Sequence, residues 1–141
     1  MSAADVDAGV PAALEDDVVV VDVPARPRSL RLLRLAAADA AADLDLDIDA
    51  VESARIAVDE LSAILLASGP WQRLVVRFRA VDARLRVEGE AFGPVGEPVE
   101  PAVDRVVEEL LSMCVEEYGI GDGPKFWFDI AARSAGSAGS A

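Results

Sequence analysis

The chain has 141 residues, 52% of them apolar, with 13 basic and 26 acidic side chains and a formal net charge of −13. That length supports one domain of roughly 110–120 residues with its own core, and the acidity speaks against a nucleic-acid binder, because phosphate contacts need clustered lysine and arginine. There is no histidine and a single cysteine, Cys114, which excludes an intrachain disulfide, a multi-cysteine metal site and nucleophilic catalysis of the Ser/His or Cys/His type.

Residues 1–16 are small, acidic and aperiodic, and are expected to form a disordered arm. No basic segment leads into an apolar stretch, and no run approaches about 18 apolar residues; the expected location is the cytoplasm, without a membrane partner. Residues 18–23, VVVVDV, predict a strand stopped by Pro24, and the continuous valines suggest burial on both faces. Ser29 is a cap for a helix running to about Ala42, with Leu30, Leu33, Ala37 and Ala40 or Ala41 facing the core. Arg28, Arg31 and Arg34 recur at three-residue intervals along another face, either a solvated face or a contact surface. The segment DLDLDID from Asp43 reads as a loop whose leucines tuck inward.

Residues 49–66 give the clearest helix. Asp49 is the predicted N-cap, with Glu52 at capping-box spacing. At 100° per residue, Val51, Ala54, Val58, Leu61 and Leu65 form an apolar stripe, and Glu52, Arg55, Asp59 and Ser62 an opposing polar arc. Glu60 departs from this division. It projects among Ile56, Ala57, Ala63 and Ile64, where an unpaired buried carboxylate would be costly. Glycine and proline at 69–70 are expected to end the helix, with Gly69 as a left-handed cap.

Beyond it, 73–80 and 84–90 alternate as the two strands of a hairpin turning at 81–83, with Leu74, Val76, Phe78 and Ala80 on one face of the first and Leu85 and Val87 inward on the second. Residues 91–101 hold three prolines and two glycines and predict a loop. A helix is predicted over 101–118, stopped by Gly119, with Cys114 as a core thiol, and a last strand over 125–131 with Phe126, Phe128 and Ile130 inward. The order β-α-α-β-β-α-β predicts a two-layer α/β sandwich, a mixed and mostly antiparallel sheet covered on one face by helices. The domain is expected over 17–133, followed by a flexible Ser/Ala/Gly tail over 134–141.

Over residues 18–132 the chain resembles the anti-sigma factor serine kinases, the RsbW-like branch of the ATPase superfamily shared by histidine kinases, gyrase, MutL and heat-shock chaperones. The resemblance is carried chiefly by VPARPRSLRLLRLAAADAAADLDLDIDAVESARIAVDE, residues 23–60. It implies the histidine-kinase-like ATPase fold. It also implies a second helix bearing a catalytic Glu and, four residues on, an Asn that holds magnesium; Glu60 fits the first position and Ile64 occupies the second. The family's Asp-x-Gly-x-Gly adenine turn is represented only by Glu88, Gly89 and Gly93, out of register, and the phosphate-cradling glycines before the third helix are replaced by a segment with Glu100 and Asp104.

The resemblance therefore implies an anti-sigma factor that sequesters a sigma factor and is released by a STAS-type antagonist, without kinase activity and without a cofactor or metal. Arg34, with Arg28 and Arg31, is expected on an exposed face as the partner contact, and Glu60 is either a relic, a partner to Arg73 or Arg31, or a surviving base. Two alternatives stand beside this reading. One is an active serine kinase using ATP and magnesium to phosphorylate its antagonist; the other is a nucleotide-free dimeric scaffold for a different signalling complex.

Overall fold

Strand alternation and two long apolar helical stripes organise the molecule around one sheet. The computed structural model describes residues 17–93 and 100–131. Five strands, β1 (Val19–Pro24), β2 (Arg73–Val81), β3 (Arg84–Phe92), β4 (Glu117–Ile120) and β5 (Lys125–Ala131), form an open sheet in the order β1-β2-β3-β5-β4. Every neighbouring pair is antiparallel, so the expected mixed character is absent. Three helices, α1 (Leu30–Asp43), α2 (Ile48–Ala67) and α3 (Arg105–Cys114), accompany the sheet, and a 3-10 turn (Pro27–Ser29) leads into α1. The predicted arm at 1–16, the loop at 94–99 and the tail beyond 131 lie outside the described residues.

One face of the sheet supplies the core. Leu74, Val76 and Phe78 of β2, Leu85 and Val87 of β3, and Phe126, Phe128 and Ile130 of β5 are all buried, as period-two alternation requires. Onto them α2 brings Ala54, Ala57, Val58, Leu61 and Leu65, each fully buried, and α1 adds Leu33, Ala37 and Ala41. α1 packs along α2 and over β2, and α3 packs against α2. The opposite sheet face carries Arg77, Arg79, Arg86, Glu88, Glu90 and Trp127, none of them buried, so the described residues cover the sheet on one side only. No helix among the described residues is long and apolar enough to cross a membrane.

Local chemistry sets the boundaries, in places differently from expectation. The cap of α2 is Asp47 rather than Asp49: its carboxylate accepts from the Ala50 amide at 2.8 Å. Burial of Leu46 pulls the chain in and leaves Asp47 at the cap, and Glu52 pairs with Arg55 instead of closing a capping box. At the other end no left-handed Gly69 is needed. Ser68 caps α2, its hydroxyl donating to the Leu65 carbonyl at 2.7 Å and accepting from Trp71 Nε1 at 3.0 Å. The turn between β2 and β3 is a two-residue loop with Asp82 and Ala83 both at positive φ, the twist that joins antiparallel strands directly.

Among the described residues β1 is an edge strand with β2 as its one neighbour, and Val19 and Val20 are about half exposed rather than buried on both faces. The predicted helix over 101–118 is shorter. Asp104 caps it by accepting from the Val107 amide at 2.8 Å, and it ends at Cys114, which is buried as expected. Residues 117–120 instead pair with β5 as an eighth regular element, and Gly119 lets the Trp127 ring lie flat where a Cβ would clash at 2.4 Å.

Tyr118 in β4 packs against the core, and its phenol is pushed up from the usual value of 10.0 by burial first and by Glu108 second. The unfolded chain then releases this proton earlier than the folded one, so stability falls as pH climbs from about 10. Tyr118→Phe is expected to flatten that alkaline slope. Denaturation midpoints for both proteins at pH 8 and pH 10.5 check it; an unchanged slope refutes it.

Candidate functional site

Two regions of the described structure hold the residues singled out by the sequence. The first surrounds Glu60. This side chain is half-buried on α2 and, with Ala63, Ile64 and Ala67, faces Glu100 and Pro101 across a shallow depression. Among the described residues Glu60 makes no ion pair, and Arg73, one partner open to it on the sequence, is bonded through Nε to Asp22 at 2.9 Å. Ile64 presents no atom that can ligate a cation. The described lining holds two carboxylates and no lysine or arginine, so it would meet a triphosphate with like charge rather than with the cationic or amide groups that phosphates need.

Glu88 and Gly89 are in the middle of β3, not in a turn, and Gly93 follows directly on the strand at φ 134°. The missing side chain of Gly89 is accounted for by packing: a Cβ there would meet the Phe126 ring at 2.3 Å. Glu88 points to the open sheet face, within 3.4 Å of Arg79 and 3.7 Å of Arg86.

The second region is the start of α1. Arg28 and Arg31 are exposed, with no ion pair among the described residues, whereas Arg34 is only a third exposed and its Nη1 bonds Asp59 Oδ1 of α2 at 2.7 Å. The expectation of an exposed Arg34 is therefore corrected. Its position on α1 is turned toward the seam with α2, where Asp59 of the predicted polar arc waits. Ser62 of that arc is fully buried, and nothing in the structure explains its hydroxyl, which has no hydrogen-bond partner among the described residues.

Beside Arg28 and Arg31 stand two residues that sequence reasoning passed over. Leu32 is 55% and Leu35 67% exposed, and with Pro24 and Arg26 they line one open depression with the two arginines. The signal was available, because both leucines project away from the stripe of Leu33 and Ala37. The result is an apolar patch ringed by three arginines on an otherwise acidic chain. Large exposed aliphatics rimmed by charge mark interaction surfaces more than solvated ones. Neither the family models nor the curated proteins compared with the chain match it.

Proposed function

We propose that the chain is an anti-sigma-type regulator with the histidine-kinase-like ATPase fold, using that fold as a binding scaffold. In this reading it sequesters a sigma factor, most simply in the cytoplasm, and yields it when a STAS-type antagonist binds. The observation that carries the proposal is the exposed Arg28, Arg31, Leu32 and Leu35 surface of α1, on the same helix as Arg34, the residue at which the resemblance puts the partner contact and which itself turns to Asp59. Leucines supply apolar area to bury, and arginines, which are enriched among interface anchors, supply forked hydrogen bonds to carboxylates. The net charge of −13 adds long-range attraction to a basic partner. Glu60 beside Ile64 and across from Glu100 supports a non-catalytic role, since a base without a metal or phosphate cradle has nothing to act on.

The test is a paired measurement of melting temperature and affinity for a cognate sigma factor and a STAS antagonist. Arg28→Ala and Arg31→Ala are expected to leave stability within about 0.5 kcal/mol of wild type and to weaken binding, Arg31→Ala by about 2 kcal/mol and the more peripheral Arg28→Ala by less. Arg34→Ala loses stability as well, by about 1 kcal/mol, because it severs the link to α2. Asp59→Asn breaks the same link while sparing the arginine, so it should lower the melting temperature and keep affinity. Equal small losses at all three arginines would mean a solvated face. In the same protein, calorimetric titration with ATP is expected to show no binding with or without magnesium; a micromolar, magnesium-dependent Kd would favour the kinase alternative.

A further inference from the structure

The apolar side of α3 is wider than the surface it buries. At 100° per residue, Met113, Val106, Leu110, Cys114, Val107 and Leu111 fill, in that angular order, an arc of about 160°. Leu111 and Cys114 are buried and Val107 packs against the core, which uses the far half of the arc. The near half has no partner among the described residues. Val106 is 75% and Met113 73% exposed, and Leu110 is only half-buried and stands outside the core cluster. Their spacing of four and three residues makes them neighbours in one row along the helix. Folding does not call for this row, since a β-branched valine is a poor helix former at an exposed site. Aliphatic side chains left together in water mark an interaction surface, and methionine, unbranched and polarisable, adapts to the shape of what covers it.

The charge around the row decides what can cover it. Residues 100–117 hold six acids, Glu100, Asp104, Glu108, Glu109, Glu116 and Glu117, all exposed, against one base, Arg105, which leaves the segment at −5. Glu109 stands at the edge of the row, about 40° round the helix from Met113 and three residues from Val106. Arg105 lies farther round and is 3.8 Å from Glu109, with both side chains largely in water. The same surface of a second copy would set −5 against −5, and a membrane of anionic lipid is repelled for the same reason. What complements the surface is a helix with an aliphatic row of its own and lysine or arginine on either side of it.

We infer that the outward row of α3 docks a basic amphipathic helix of a partner protein, its aliphatic side chains on Val106, Leu110 and Met113 and its cations toward Glu109 and the acids at the two ends of α3. The surface is separate from Arg28 and Arg31 of α1, and the inference does not depend on the anti-sigma reading. A helix of 10 residues is about 15 Å long, and a helix pair of that length covers less than the roughly 1,200 Å² of a stable interface. On its own this contact is accordingly weak and reversible, with a Kd on the order of tens to hundreds of micromolar.

Fluorescence anisotropy on the full chain tests this with a labelled helical peptide of about four turns, leucine along one face and lysine on the others, and with a counterpart carrying glutamate for lysine. The lysine peptide is expected to bind and the glutamate peptide to stay free. V106Q/M113Q removes the row at unchanged charge and should weaken binding by at least about fivefold. Glutamine forms helix about as well as methionine and better than valine, so this variant should melt at or above the wild-type temperature; if it does not fold, M113Q alone makes the same comparison. E109K and D39N/D43N each make the chain less negative by two charges, the first beside the row and the second on α1. E109K should weaken the lysine peptide by about threefold or more, and D39N/D43N, screened by salt, by less than about 1.5-fold. Wild-type affinity in V106Q/M113Q, equal losses from E109K and D39N/D43N, or a glutamate peptide that binds as tightly as the lysine one would each overturn the inference. So would a loss of self-association in V106Q/M113Q, read by sedimentation equilibrium, since it would assign the row to a second copy.

Discussion

Val58→Asp is expected to unfold the protein. Val58 is fully buried on α2, in the stripe that also holds Ala54, Leu61 and Leu65, and that helix lies over β3 and β5 and is flanked by α1 and α3. The substitution forfeits the burial of a valine, about 1.5–2 kcal/mol, and adds a carboxylate where it has neither water nor a cation. An unpaired buried carboxylate costs several kcal/mol more even after it takes up a proton. A domain of this size has about 5–15 kcal/mol to lose. Circular dichroism melting should then show no cooperative transition above ambient temperature. Val58→Ala separates the two terms, since it leaves a small cavity and no charge; it should fold with a lower melting temperature, losing about 1–3 kcal/mol. Wild-type melting of Val58→Asp would show that α2 does not face the core as described.

The core was legible because it rests on periodicity, a local property. The stripes of Leu33 and Ala37, of Val58, Leu61 and Leu65, and of Phe126, Phe128 and Ile130 all emerge buried as their spacing predicts. What escaped depends on partners far away in sequence. Glu117 and Tyr118 read as the end of the third helix with Gly119 as its stop, and only pairing with the edge of β5 makes Glu117–Ile120 a strand. The valines of β1 read as doubly buried until the sheet order places them at an edge. In the candidate site, the arginines of α1 could be read from sequence, but the separation of Arg34 from Arg28 and Arg31 could not. It arises from Asp59, 25 residues downstream, which reaches Arg34 only once α2 has packed. The same limit applied to the open sheet face, where strand alternation gave the outward positions without showing which charges meet.

The strongest of those meetings is the pair Arg86 and Asp129, directly opposite each other on β3 and β5, and Arg86→Ala is the second substitution expected to act strongly. Arg86 grips the Asp129 carboxylate with two nitrogens, Nε on Oδ1 and Nη2 on Oδ2 at 3.0 Å, and its guanidinium lies 4.6 Å from the centre of the Trp127 ring. The two partners differ in burial: the Asp129 side chain is 8% exposed and that of Arg86 30%. The hydrogen bond to Asp129 raises the Arg86 pKa above its ordinary value, against the opposing pull of burial. Removing the arginine leaves a nearly buried carboxylate without its cation and bares one face of Trp127. Loss of one partner of a fully buried pair costs about 3–5 kcal/mol. With Arg86 partly in water, about 2–4 kcal/mol is the expected loss, read as a lower urea midpoint at unchanged slope. The double variant Arg86→Met/Asp129→Leu removes the orphaned charge along with its partner and should recover most of that loss, giving strong non-additivity in the cycle with the single variants. Additive losses would mean that the fork between β3 and β5 contributes nothing beyond its separate side chains.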